Sequence, residues 1–372
     1  MTELALGRGV AMAWRRDAVR TVGWWAAGRA GVFAGAAALH VFGPRGYVGR
    51  DEHAHLFGVL ASWDGRWYRL VAEHGYLFER GRQSDPAFFP LYPILMRLCH
   101  GAGLGYATAG TLLANGAFLA ALFVFAALTR ELFDERFAQR AVAYLAVFPS
   151  GLAFSMTYPE SLVLLAVTGA ALAAMRGRWG LAASLAAAAA LGRPEALFVS
   201  LPLAGIAARS RGNRGLAAAA ALAPFGALGG FALYLGVRLH DPLAWTHAEH
   251  AWGRRFTPLG FVRAFDGLPH AFDGNAWVVR DVAFCAVYLV LLAAAARAGT
   301  PRAWLAAGAA VVVLPLFSGS FVSLARFGLL APAVVWGLAA LGEGGRARGA
   351  AIGAVSLVLL AASTASLPYV FP

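Results

Sequence analysis

Residues 107–129 read ATAGTLLANGAFLAALFVFAALT, and residues 130–140 read RELFDERFAQR. The first string has no charge and exceeds the roughly 20 apolar residues that cross a bilayer as a helix. The second mixes both signs of charge and belongs in water. A membrane span followed by a charged hairpin is the unit that repeats along the chain, and it predicts a polytopic membrane protein.

Working outward, apolar runs alternate with short charged loops. The first span is expected at about 21–42, with Arg29 snorkelling to the inner face. Others are expected at about 107–129 and 141–157, then on either side of Arg176 and Arg178. The second of these reaches the turn Arg193-Pro194-Glu195, one more runs from that turn to Arg209, and another covers about 215–236. Two flank Arg297 and Arg302, one follows the turn 317–326, and one follows Arg346 and Arg348. The expected fold is an all-α integral membrane protein of about eleven transmembrane helices. It forms one polytopic domain over 1–372. Two long loops interrupt it, 43–106 and 237–278, the first carrying helices that lie on the membrane surface.

Composition agrees. The chain is 60% hydrophobic and 13% charged, against about 25% charged residues in soluble domains. Its net charge is +12, and every basic residue outside His is Arg. These arginines sit at the ends of apolar runs, so the charge reflects topology and not a nucleic-acid partner. Each short loop on one side holds two or more Arg, and each on the other side at most one. That asymmetry puts the N-terminus in the cytoplasm and both long loops outside. The N-terminus lacks a short apolar region followed by an A-x-A site, so the first run is expected to stay as an anchor. Cys99 and Cys285 are the only cysteines, and Cys285 lies in an apolar run, which argues against a disulfide framework.

Polar and aromatic residues gather on the outer side. The first loop holds Asp51, Glu52, His53, His55, Asp64, Trp67, Tyr68, Glu73, His74, Tyr76 and Asp85. The second adds Asp241, Trp245, His247, Glu249, His250, Trp252, Arg254 and Arg255. Carboxylates for hydroxyls and ring faces for C–H surfaces suit a sugar. The same mixture would serve a solvated loop with interfacial anchors. Glu160, Arg193 and Arg326 sit at span ends, where an ionisable group either faces an interior partner or marks the helix end. Arginine suits phosphate, because its planar fork donates two parallel hydrogen bonds. The chain contains no G-x-x-x-x-G-K-[ST], H-E-x-x-H, C-x-x-C or G-x-S-x-G string. His53 and His55, two apart, do not share a helix face, so no metal and no cofactor is expected.

Trp63-Asp64-Gly65-Arg66-Trp67-Tyr68, Gly75-Tyr76 and Phe88-Phe89-Pro90-Leu91-Tyr92-Pro93 together resemble the PIG-V family of membrane mannosyltransferases, of the GT-C superfamily. The likeness continues in order through Phe148-Pro149-Ser150, Tyr158-Pro159-Glu160-Ser161, Arg193, Asp241-Pro242-Leu243-Ala244, Trp252-Gly253-Arg254 and Ser323-Leu324-Ala325-Arg326-Phe327. It covers about residues 55–335. The stretch from Asp51 to His53 does not match the family pattern, which keeps Asp51 as a rival carboxylate.

The resemblance implies an enzyme that takes a hexose, usually mannose, from a polyprenyl-phosphate donor. The acceptor would be a cell-envelope glycan, lipid or protein. Such a donor already has a good leaving group, so one carboxylate acting as base suffices for displacement with inversion. Asp64 is the expected base. Arg193 and Arg326 are expected to hold the donor phosphate, with Arg254 as a third. Trp63, Trp67, Tyr68, Tyr76, Tyr158, Glu160, Asp241 and Trp252 are the expected substrate contacts. An Arg-only, Ala-rich chain has the composition of a high-GC bacterium, so a bacterial plasma membrane is expected, with membrane lipid as a further partner. The rival class is a multi-span transporter or lipid flippase, which predicts helices broken near the bilayer middle.

Overall fold

The computed structural model describes residues 2–42, 56–210, 212–266, 268–271 and 276–367. The expectations for Asp51, Glu52, His53 and His55 lie outside the described residues. Within them the regular structure is entirely helical. Four helices are long and apolar enough to cross a membrane: Tyr106–Leu132, Arg214–Leu239, Trp277–Arg297 and Arg346–Ala365. A fifth span results if Leu324–Leu330 and Pro332–Leu341, bent by 89° at their junction, are taken as one. Glu160–Met175, Trp179–Gly192 and Arg302–Ser318 are apolar but shorter.

The charged hairpins start helices as capping chemistry requires. The Asp134 carboxylate accepts the Phe137 N–H at 2.8 Å. The Asn213 side chain does the same for Leu216 N–H at 3.1 Å. Each satisfies a backbone donor that the first helical turn leaves open. The faces of Arg214–Leu239 then carry apolar side chains outward, with Leu233 at 69% and Val237 at 73% exposure. A row of that kind is stable in lipid, not in water. Inside, the bundle is held by aromatic packing. The Trp336 ring meets Trp304 edge-on at 5.1 Å, and its Nε1–H donates to Thr129 Oγ1 at 2.9 Å. Gly337 lets two helices touch, since a Cβ there would sit 1.8 Å from the Leu291 carbonyl oxygen.

Two expectations are corrected. Arg29, in the helix Thr2–Phe42 that contains the expected first span, does not snorkel: it is buried, donates to Ser155 Oγ at 2.6 Å and lies 4.7 Å from the Phe118 ring centre. Interior partners make the long reach to water unnecessary. The run 141–157 is not one helix either. The helix Glu135–Ala146 stops short of Pro149, whose ring disfavours a helical residue before it. A 3-10 turn, Gly151–Phe154, follows.

Similar turns interrupt the chain at Pro194–Val199, Leu314–Ser318 and Gly328–Leu330. Irregular backbone at membrane depth survives where protein covers it or a cavity opens beside it. Gly151–Phe154 leads into Tyr158 and Glu160, Pro194–Val199 follows Arg193, and Gly328–Leu330 follows Arg326. The breaks therefore deliver these charged residues to one place.

Candidate active site

Asp64 is the first residue of the helix Asp64–His74. Trp63, just before it, holds a φ of 55°, a value few non-glycine residues adopt. The Trp63 indole donates to the Leu367 carbonyl at 3.3 Å, and the Asp64 N–H donates to the Tyr158 hydroxyl at 3.3 Å. The chain entering the helix is thus tied on both sides of the strained residue. Strain of this kind persists only where neighbours fix it, and it gathers at functional sites.

Arg326 comes from the short helix Leu324–Phe327. Its approach is strained as well, since Ser323 has a φ of 72°. Here the tie is Asp281, a buried carboxylate on the helix Ala276–Arg297. It accepts the Ser323 N–H at 2.7 Å and the Ala325 N–H at 3.2 Å, while Arg280 lies 3.1 Å from it. Tyr288 holds the same segment by donating its hydroxyl to the Ala325 carbonyl. An amide in place of Asp281 accepts fewer of these bonds and leaves Arg280 without its counter-ion. Asp281→Asn should therefore destabilise the protein by roughly 1–3 kcal/mol. The unfolding midpoint in detergent measures this, and an unchanged midpoint would mean that the Ser323 turn holds itself.

The two strained segments meet. Arg326 Nη2 donates to Asp64 Oδ2 at 2.5 Å, and both side chains are buried. Glu160 Oε1 stands 3.8 Å from Arg326 Nε and 2.6 Å from Arg193 Nη1. Arg193 Nε also meets Glu195 Oε2 at 3.2 Å. Arg254 bonds Ser323 Oγ at 3.1 Å and Glu249 Oε2 at 3.3 Å. All three guanidinium groups surround one ring, Phe327, at 4.6 Å for Arg193, 5.7 Å for Arg254 and 5.5 Å for Arg326. A cation over an aromatic face is stabilised by the ring quadrupole, which helps one side chain gather three like charges.

Burial works against the charge of Arg193, yet Glu195 and Glu160 outweigh it and hold its pKa well above the ordinary guanidinium value. Burial likewise opposes the Glu195 charge, but Arg193 keeps the carboxyl below its usual range. Both stay ionised at neutral pH. Burial pushes the Tyr68 phenol up, so it remains a neutral hydrogen-bonding group.

Asp64, Tyr68, Arg193, Glu195, Glu249, Arg254 and Arg326 line a cavity whose free space, open solvent included, is about 530 Å³, together with Phe88, Phe89, Pro194 and Trp252. Its polar demand is unmet. Arg326 Nε and Nη1 and Trp252 Nε1, on lining residues, and Glu160 Oε2 behind them, are buried without a hydrogen-bond partner among the described residues. Each such group costs about 1–3 kcal/mol, more when charged, and calls for an explanation. A bound ligand with anionic and hydroxyl oxygens would satisfy them.

The structure brings together most of the residues expected from sequence. Asp64, Tyr68, Arg193, Arg254, Arg326 and Trp252 all line the cavity. Glu160 lies behind it, on Arg193, and Tyr158 lies beneath Arg326, 5.0 Å from its guanidinium. Trp67 stacks on Phe88 at 5.6 Å and braces the wall. Three residues do other work. Tyr76 donates its hydroxyl to the Phe88 carbonyl at 2.7 Å, fixing the wall from behind. Trp63 sets the entry to Asp64. Asp241 accepts the Leu243 N–H at 3.0 Å and pairs with His247 at 2.8 Å, so it organises the second loop away from the cavity.

Glu195, Glu249, Asp281, Ser323 and Phe327 were not among the expected site residues. Asp281 had a readable signal, a carboxylate inside an apolar run. Phe327 stood in the string Ser323–Phe327 that carries the resemblance, but nothing there marked its ring as a meeting point for cations.

No family model and no curated protein matches the chain. Among solved structures it is similar to the Archaeoglobus fulgidus oligosaccharyltransferase in complex with Zn and sulfate. The identity is 14% and the TM-score 0.46, over 80% of this chain and 48% of that one. It is also similar to the archaeal oligosaccharyltransferase AglB from Archaeoglobus fulgidus in complex with an inhibitory peptide and a dolichol-phosphate. There the identity is 13% and the TM-score 0.45, over 81% of this chain and 51% of that one. The chain spans about half the length of these two structures.

Proposed function

We propose that the chain is a membrane glycosyltransferase of the GT-C type. It moves a hexose, mannose by its resemblance to PIG-V-like enzymes, from polyprenyl phosphate to a cell-envelope acceptor. The observation that carries this reading is the cavity where three arginines surround Phe327 beside Asp64, with two donors of Arg326 unspent. Such a place suits a phosphate ester with a reacting hydroxyl next to it. The aromatic wall of Phe88, Trp67 and Trp252 suits the C–H face of a sugar.

The charge balance gives the mechanism its order. Asp64 is held by Arg326, whose Nη2 occupies its Oδ2. The donor phosphate offers oxygens to the unspent Arg326 donors and to Arg193 and Arg254. As it draws Arg326 away, Asp64 Oδ2 is freed to accept from the acceptor hydroxyl. Asp64 takes that proton while the hydroxyl oxygen attacks the anomeric carbon and the C–O bond to phosphate breaks. The arginines neutralise the charge left on the departing phosphate. Purified protein in detergent, given polyprenyl-phosphate mannose and an envelope-lipid extract as acceptor, should release polyprenyl phosphate. Intact donor after long incubation would remove the proposal.

On this reading the chain has the expected topology of about eleven spans, with the cavity facing the non-cytoplasmic side of a plasma membrane. A variant without Cys99 and Cys285 tests it. Cysteine placed at the exposed Arg82 should react with an impermeant reagent added outside, and cysteine at Asn213 should not. The reverse pattern inverts the topology.

One observation favours the transporter or flippase reading. The chain bends by 89° between Leu324–Leu330 and Pro332–Leu341, directly beside Arg326, as broken transporter helices do at their sites. The same assay separates the two, because a flippase moves its lipid without cleaving it.

A further inference from the structure

A second cavity lies at the other end of the bundle. Its free space, open solvent included, is about 880 Å³. It is lined by the ends of four helices, through Leu132, Met175, Ile206, Arg209 and Trp304 among others. Glu160 marks the charged cavity and Met175 this one. They are the two ends of one helix, Glu160–Met175, which at 1.5 Å per residue separates them by about 22 Å.

Its chemistry is that of an amphiphile site. The floor is apolar, from Leu132, Met175, Pro202, Ile206, Ala303 and Trp304, and the rim carries Arg209 and Ser210. Size, apolar lining and a few placed polar groups are what ligand pockets share. Arg209 is exposed and its bond to the Gly205 carbonyl, at 3.3 Å, engages only Nη1. Exposed Arg178 follows Gly177 of the lining, and exposed Arg302 follows Pro301. The nearby Glu131 is already occupied by Arg176 at 2.8 Å. The rim is therefore cationic, while the floor accepts hydrocarbon.

We propose that this cavity binds one anionic phospholipid of the surrounding membrane. An acyl chain lies along Met175, Ile206 and Trp304, and the phosphate rests on Arg209, with Arg178 and Arg302 extending the positive rim. The site is separate from the donor cavity and does not depend on the function assigned to that cavity. Charge complementarity is what selects an anionic lipid over a zwitterionic one, and Arg is suited to grip a phosphate.

The test uses the full chain in detergent, delipidated, titrated with phosphatidylglycerol or phosphatidylcholine bearing identical acyl chains. Native mass spectrometry counts bound lipid and the unfolding midpoint reports its effect. Both lipids offer Arg209 a phosphate, but the choline cation meets the positive rim with like charge, so phosphatidylglycerol should bind about tenfold more tightly and should raise the midpoint. Arg209→Glu should erase that preference while leaving the lipid-free midpoint unchanged. If Arg209→Glu does not fold, Arg209→Gln serves the same comparison with a smaller loss of preference. Equal binding of the two lipids by the wild-type protein overturns the proposal. So does a folded Arg209 variant that keeps the full preference.

Discussion

Replacing Asp64 by Asn should lower the rate of sugar transfer by about 10²–10⁴-fold, the usual contribution of a positioned base. Asparagine keeps the shape of the side chain and can still accept a hydrogen bond from Arg326, but it cannot take a proton. The substitution also leaves the buried Arg326 without its nearest counter-ion, with Glu160 3.8 Å away as the remaining one. The unfolding midpoint must therefore be read beside the rate, so that lost folding is not counted as lost chemistry. Asp51→Asn, by contrast, should stay within a few-fold of wild type. A silent Asp64→Asn together with an inactive Asp51→Asn would move the base to the start of the first loop.

Removing the guanidinium of Arg326 should have the second large effect. Arg326→Met breaks a buried ion pair, and leaving one charge of such a pair alone typically costs about 3–5 kcal/mol of stability. In the folded fraction, donor use should fall by the loss of a charge-assisted bond, about 1.5–3 kcal/mol, seen in donor KM and kcat. Arg326→Lys should recover little, because an ammonium cannot reach Asp64, Ser323 and a phosphate together. The double variant Asp64→Asn, Arg326→Met should be more stable than the two single losses sum to, since each single change strands the other's charge. Additive losses would mean that the pair does not couple. Arg254 is less buried than Arg326 and is held by Glu249, so Arg254→Ala should be the milder lesion.

How much of this was legible differs by residue. The apolar runs and the arginines between them announced a helical membrane bundle, because lipid leaves few other choices. Glu160, Arg193 and Arg326 stood out as charges where charge is expensive, Asp64 came from the resemblance, and the four converge. The loops were read less well. Asp241 and Tyr76 have the right chemistry for a sugar, but composition does not say which way a loop side chain points. Asp241 turns to His247 and Tyr76 to the Phe88 carbonyl. Arg29 looked like a snorkelling residue because its partners, Ser155 and the Phe118 ring, are far away in sequence. The 3-10 breaks were visible as prolines, yet a proline predicts that a helix stops, not where the next residues go. Phe327 lay in a quoted string, yet that its ring gathers the three arginines could be seen only once the chain was folded.

The most direct test of the central claim is a structure of the protein with polyprenyl phosphate bound, determined in a lipid nanodisc. The phosphate should lie in the cavity beside Phe327, within hydrogen-bonding distance of Arg326 and Arg193, and the contact between Arg326 and Asp64 should be lengthened or broken. A phosphate bound elsewhere, with the Arg326–Asp64 pair as close as it stands at 2.5 Å, would contradict the assignment of both the site and its base.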